Sequence, residues 1–157
     1  MQKITPCLWF DTNAEEAINH YLSIFKNGKL ISSSRYGDAM PMPSGTFLTG
    51  VVEIEGQEIM FLNGGPVYKL SPAFSLVIDC KDQDEVDYYW DRLLEGGRPD
   101  QCGWLTDKFG VSWQVVPSIL EKLMSDPDPV KAARVTQAML QMVKLDIAGL
   151  QRAYNGS

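Results

Sequence analysis

The chain has 157 residues, with 14 Lys+Arg against 20 Asp+Glu and a formal net charge of −6. At this length one domain buries roughly 70% of its unfolded surface, and 45% hydrophobic with 22% charged residues exclude a disordered tail, a collagen-like rod or a coiled coil. An acidic balance without a Lys/Arg cluster excludes nucleic acid and anionic membrane surfaces as main partners, because both select concentrated positive charge.

In chain order, Ile4 to Phe10 is an apolar, β-prone run, and Asp11-Thr12-Asn13 carries turn and helix-start chemistry. Asn13 and Glu16 have capping-box spacing, and Ala14, Ala17, Ile18, Tyr21, Leu22 and Phe25 recur at helical intervals up to Gly28. Leu30 to Tyr36, Thr46 to Ile54 and Glu58 to Leu62 then read as strands separated by turns. This order, βαβββ, begins again at Ala73 to Asp79. Asp82 and Glu85 repeat the capping-box spacing, and Val86, Tyr89, Trp90, Leu93 and Leu94 form a second helical stripe ending at Gly96-Gly97. A shift of 69 positions lays Asn13 on Asp82, Tyr21 on Trp90 and Gly28 on Gly97, which marks an internal repeat.

Strand candidates Arg98 to Gly103, Trp104 to Lys108 and Val111 to Val116 complete the second unit. The tail changes character: Ile119, Leu120 and Leu123 form a helical patch, Ser125 to Pro129 breaks it, and two amphipathic stripes follow at Val135/Met139/Met142 and Ile147/Leu150/Tyr154. The expected organisation is one α+β domain with module one over about 2–66, module two over about 72–117 and a helical appendix over about 118–157. The stripes of the appendix are expected to cover a sheet edge or a dimer seam.

Cys7, Cys80 and Cys102 are odd in number and form no C-x-x-C pair, which suits reduced thiols of a cytoplasmic protein rather than a disulfide framework or thiolate zinc site. No leader pattern and no apolar run near the ~18 residues of a membrane span is read, so neither export nor a membrane partner is expected.

The segments Ile4-Thr5-Pro6-Cys7-Leu8-Trp9-Phe10-Asp11, Leu62-Asn63-Gly64-Gly65-Pro66, Trp104-x-x-Asp107-x-Phe109-Gly110-Val111-x-Trp113-Gln114 and Ser125-Asp126-Pro127-Asp128 resemble the PhnB-like family. That family, also labelled 3-demethylubiquinone methyltransferase-like, belongs to the glyoxalase/bleomycin-resistance/dioxygenase, or vicinal-oxygen-chelate, superfamily. The resemblance implies two βαβββ modules whose sheets curl round a shared cavity, assembled as a homodimer. It also implies that metal-using members hold a divalent ion on the first and last strands of the modules. Carried over through the repeat, those corners fall at Thr5, Met60, Phe74 and Gln114, none of which is a good divalent-metal donor. The one histidine, His20, lies on the first helix and reads as an ordinary helix residue.

Strand alternation puts Thr5, Cys7 and Trp9 on the cavity face, with Glu58, Met60 and Leu62, with Phe74, Leu76 and Ile78, and with Ser112 and Gln114. Thr5, Cys7, Trp9, Glu58, Met60, Phe74, Ser112 and Gln114 are therefore the expected ligand-binding residues. The partner they suit is a small, partly aromatic or apolar molecule, stacked on Trp9 and Phe74 and hydrogen-bonded by Gln114 or Thr5. Cys7 and Cys102 have no histidine to activate them and read as buried structural thiols. A G-x-G turn between strand and helix, which a nucleotide-like methyl donor would need, is missing; Gly64-Gly65 opens onto an extended segment and Gly96-Gly97 ends a helix. The expectation is thus a metal-independent, cofactor-free small-molecule-binding protein. Metal-assisted lyase, isomerase or dioxygenase chemistry, methyl transfer, and a purely structural dimer module stay open beside it.

Overall fold

The structure is a computed structural model that describes residues 2–157, and its chain divides into two compact units, Met1–Leu70 and Ser71–Ser157. Each unit carries one open, four-stranded mixed sheet with the same strand order.

In the first unit β1 (Cys7–Phe10), α1 (Ala14–Ile24), β2 (Lys29–Arg35), β3 (Phe47–Ile54) and β4 (Gln57–Asn63) form a sheet of order β1-β4-β3-β2. β1 runs parallel to β4 while the other pairs are antiparallel, so α1 is the crossover that a parallel pair requires. Alternation decides the faces. Leu8 and Phe10 on β1, Ile59 and Phe61 on β4, and Val52 and Ile54 on β3 are buried, and α1 lays Ala17, Ile18, Tyr21 and Ile24 over them. Phe61 anchors this layer, with Phe10 stacked at 5.6 Å and Tyr21 tilted at 5.7 Å between ring centroids. Each such fully buried side chain contributes about 1.5–3 kcal/mol of transfer free energy.

The cap expected at Asn13 is supplied from elsewhere: its side chain makes no capping bond. The buried Asn63, at the end of β4, instead accepts from the Ala14 N–H at 2.8 Å and donates through Nδ2 to Thr12 O and Phe47 O. One amide thereby ties the helix start, the incoming turn and the edge of β3 to the sheet, which a hydroxyl or carboxylate could not do because only an amide offers both donors and an acceptor.

The second unit repeats the plan with β5 (Ser75–Cys80), α2 (Gln83–Leu94), β6 (Arg98–Pro99), β7 (Trp104–Thr106) and β8 (Ser112–Pro117) in the order β5-β8-β7-β6. Here the first half of the predicted capping box forms, and its return bond lands one residue earlier. Asp82 accepts from the Glu85 N–H at 2.9 Å, and Glu85 reaches back to the Lys81 N–H. Helix starts Ala14 and Gln83 keep the 69-residue spacing. The strands do not, because Leu76 and Ile78 pair with the buried Trp113 and Val115 and therefore share their face. Strand β5 is one residue out of step with the helix, and since side chains alternate with period two, that single residue inverts its faces. Leu76 and Ile78 thus belong under α2 and not on the cavity face, where the register puts Ser75, Val77 and Asp79. Phe74 lies in a bend ahead of β5 and is exposed, a correction to its expected strand position. Predicted strand Arg98 to Gly103 shrinks to Arg98–Pro99 because Cys102 and Gly103 both turn through positive φ.

The appendix forms α3 (Ile119–Met124), α4 (Pro129–Leu140) and α5 (Ile147–Asn155). Their stripes meet one another rather than lying open for a seam: Leu120, Leu123, Val135, Leu145 and Leu150 are buried together, with Met139, Met142 and Tyr154 packed around them. Asp128 caps α4 through the Val130 N–H at 2.9 Å with Pro129 at the first helical position. Past α4, Met142 O and Val143 O accept from the Cys102 and Gly103 N–H groups, so this segment does cover the turn that precedes β7.

Candidate functional site

In both units one sheet face packs beneath the helix and the other does not. The helix-free face of the first unit is read directly from strand register. One row runs Trp9, Leu62, Thr49, Ser34 from β1 to β2, and the next runs Cys7, Met60, Val51, Ser32. Thr49 and Ser34 are joined by a 2.6 Å hydrogen bond between their hydroxyls. Each row thus grades from aromatic or sulfur-bearing side chains at the β1 edge to hydroxyls at the β2 edge. Charge enters in the next row, Glu58, Glu53 and Lys29, where Glu53 pairs with Lys29 at 3.3 Å.

Trp9 is held from three sides. Its indole N–H donates to Gly65 O at 2.9 Å, Tyr68 meets it in a T-shaped arrangement at 5.1 Å, and the ring lies on Gly64 so closely that a Cβ there would fall 2.4 Å from Cζ2. Gly64 is required by this close approach, and Tyr68, itself 66% exposed, adds a second aromatic wall that composition alone did not single out. Thr5 lies before β1, half-buried. Glu58 is tied to the N-terminal segment, its carboxylate accepting from the Gln2 N–H at 3.2 Å and its carbonyl from Gln2 Nε2 at 2.9 Å.

On the helix-free face of the second unit the rows are Ser75, Ser112, Thr106, Arg98 and Val77, Gln114, Trp104. Gln114 Nε2 donates to Ser75 Oγ at 3.0 Å, and Thr106 Oγ1 donates to Asp100 Oδ2 at 2.9 Å. The structure therefore brings Trp9, Cys7 and Met60 together in one unit and Ser112 and Gln114 in the other, and leaves Phe74 off both rows. Thr49, Ser34, Ser75 and Trp104 were missed. Trp104 could have been found, since it precedes Thr106 by two in a strand that faces Gln114.

Asp107, the acid of the most specific motif, points away from any reaction. Oδ1 accepts from the Phe109 and Val111 N–H groups at 2.9 and 3.0 Å, and Oδ2 from the Trp113 indole at 2.8 Å, all within a buried turn. Gly110, at φ +88°, completes that turn. The motif is the clasp that joins β7 to β8.

Neither Cys80 nor Cys7 is an activated thiol. Cys80 is buried, and burial together with the carboxylates of Glu85 and Asp79 pushes its pKa up to about 12. Cys7 is exposed and Cys102 half-buried, which corrects the expectation that both are buried. Partial burial still raises the Cys7 thiol, so neither condition for a low-pKa nucleophile is met.

Two groups implied by the fold family can be tested against these residues. For a divalent ion, the corners offer a hydroxyl, a thioether, a phenyl ring and an amide, and among the described residues no three His, Cys, Asp or Glu side chains converge; the donor set does not fit. For a nucleotide-like methyl donor, the Gly64 and Gly65 N–H groups are already spent on Phe10 O and Asp11 O at 2.9 and 3.2 Å, and Trp9 covers Gly64. That loop has no N–H cradle to present, so it does not fit either.

Residues 2–116 match the model of the 3-demethylubiquinone-9 3-methyltransferase family. The chain belongs to this family. It is PhnB-like and, with its paired βαβββ units, a member of the glyoxalase/vicinal-oxygen-chelate superfamily. The PhnB protein from Bacillus cereus is 34% identical, covering 74% of this chain and 99% of its own, with a TM-score of 0.68. Protein YjdN of Escherichia coli is 26% identical over 71% of this chain and 92% of its own length. The fosfomycin resistance protein FosX from Listeria monocytogenes, in a structure with Mn(II) and a dihydroxypropylphosphonic acid, shares the fold at 15% identity and a TM-score of 0.50, covering 72% of this chain and 90% of its own. The family match stops at residue 116, so α3, α4 and α5 lie beyond it.

Proposed function

We propose that this family member binds a small, partly aromatic or apolar molecule on its helix-free sheet faces and needs no metal to do so. The observation that carries the reading is the composition of those faces: each sets a tryptophan, Trp9 or Trp104, beside uncharged hydrogen-bonding groups, with ion pairs only at the margins. Stacking and a few neutral hydrogen bonds are the usual terms of small-molecule recognition. Thr5, Cys7, Trp9, Glu58 and Met60 in one unit and Ser112 and Gln114 in the other are the residues assigned to it, with Phe74 reaching the ligand only from its bend. FosX is bound to Mn(II) and a phosphonate; the corners of this chain supply neither an ion's donors nor a cluster of cations for such an anion. By family resemblance the working form is a cytoplasmic homodimer.

A thermal-shift screen of aromatic metabolites tests the proposal. At a ligand concentration of 100 Kd the stabilisation is about 2.7 kcal/mol, which raises Tm by roughly 5–10 °C for a chain of this size. Hits should survive EDTA and be lost in Trp9→Ala or, for a ligand on the second unit's face, in Trp104→Ala. A chelator-sensitive hit, or a hit that both variants bind as well as wild type, refutes the reading.

A further inference from the structure

We infer that the Ser112 hydroxyl is the polar anchor of the ligand site and that it selects an uncharged hydroxyl or carbonyl group on an aromatic ligand; this rests on the small-molecule reading above. Ser112 is 2% exposed, and its Oγ has no hydrogen-bond partner. Buried polar atoms left without a partner are few in folded proteins, and each calls for an explanation. Its neighbours across the sheet are bonded elsewhere: Ser75 Oγ accepts from Gln114, and Thr106 Oγ1 donates to Asp100. A serine hydroxyl offers one donor and two acceptor positions, so Ser112 can serve either a hydroxyl or a carbonyl.

The surroundings set the class. Trp104 and Gln114 occupy the adjoining row, giving a flat apolar surface and an amide beside the hydroxyl. Charges on this face are already paired: Asp79 accepts from Ser118 at 2.7 Å, and Arg98 lies 3.9 Å from Asp100. Two carboxylates against one guanidinium disfavour an anion, and their engagement leaves little to attract a cation. The approach this inference requires is from the β5 edge of the sheet, where Val77 is 60% exposed and Ser75 half-buried, with Ser112 one strand further in.

The test uses matched probes on the full chain: phenol, benzamide, toluene and benzoate, titrated by calorimetry and ligand-observed NMR. Wild type should prefer phenol over toluene by about tenfold, the worth of one net hydrogen bond. Ser112→Ala should collapse that ratio to about one while the Tm of the free protein holds or rises, and Ser112→Thr, which keeps a hydroxyl, should restore the preference. A ratio retained in Ser112→Ala, a Tm drop of several degrees in that variant showing the hydroxyl already bonded in the free protein, or benzoate as the tightest probe would each overturn the inference and leave the small-molecule reading in place. If no probe binds wild type, that reading falls with it.

Discussion

Removing the Asp107 carboxylate should unfold the β7–β8 clasp without touching any ligand-binding group. Three buried or half-buried donors converge on it, two backbone N–H groups at 2.9 and 3.0 Å and an indole at 2.8 Å. Bonds to a charged acceptor are worth about 1.5–3 kcal/mol each, and a buried donor left unpaired costs about 1–3 kcal/mol. Because the three share one side chain they do not add, so Asp107→Ala should lose about 4 kcal/mol, near the upper end of single substitutions. At roughly 2–4 °C per kcal/mol this lowers Tm by about 10 °C. Asp107→Asn keeps one acceptor oxygen and should lose about half as much. Urea denaturation followed by tryptophan emission measures both, and the cycle with Trp113→Phe isolates the indole bond, with an expected coupling of 0.5–3 kcal/mol as for residues in contact. A loss below about 1 kcal/mol in Asp107→Ala, or no coupling to Trp113, would show that the motif holds something other than this turn and refute the structural assignment.

Two further outcomes follow from the geometry. Gly64→Ala puts a Cβ 2.4 Å from Trp9 Cζ2, so the indole must move; near-UV circular dichroism should change and stability fall by about 1–3 kcal/mol, as for overpacking, and an unchanged spectrum refutes the stacked placement. Cys80 keeps its proton to about pH 12 in the folded state against 9.0 for a free thiol, so between those values the native state holds more protons and stability declines as pH rises. Cys80→Ala should flatten that alkaline limb even though the lost sulfur lowers the baseline, and an identical slope in both proteins refutes the cause.

Much of the fold was legible because it rests on periodicity. Both helices fall where Tyr21 and Trp90 recur, and the strands where β-branched and aromatic runs lie between glycine turns. The candidate site was legible only in part, for a reason of arithmetic. Assigning a face needs register exact to one residue, and a repeat measured on the helices, Ala14 to Gln83, does not transfer to strands when the strand-to-helix turn is one residue shorter in the second unit. Met60 and Gln114 landed together on helix-free faces because Gly56 and Gly110, the turns beside them, fix the strand directly. Phe74 had no such nearby marker and was placed wrongly. The cap of α1 was illegible for a different reason: Asn63 acts on Ala14 across 49 positions, and no local spacing encodes a bond of that reach.

The two units also show why family membership and chemistry separate in this chain. The residues that carry the match most specifically are spent on the framework: Asp107 and Trp113 on the clasp, Gly64 and Asn63 on the end of β4, Gly110 on a left-handed turn. Each sits where a substitution breaks a turn or a buried bond, so these residues serve the sheet whatever the protein binds. On the binding reading proposed above, Gln114 and Ser112 on the helix-free face serve a ligand, since their places in the ladder would be filled by any strand-forming residue. Ligand measurements on Ser112 and Gln114 variants, beside stability measurements on Asp107 variants, separate the proposed binding face from the framework.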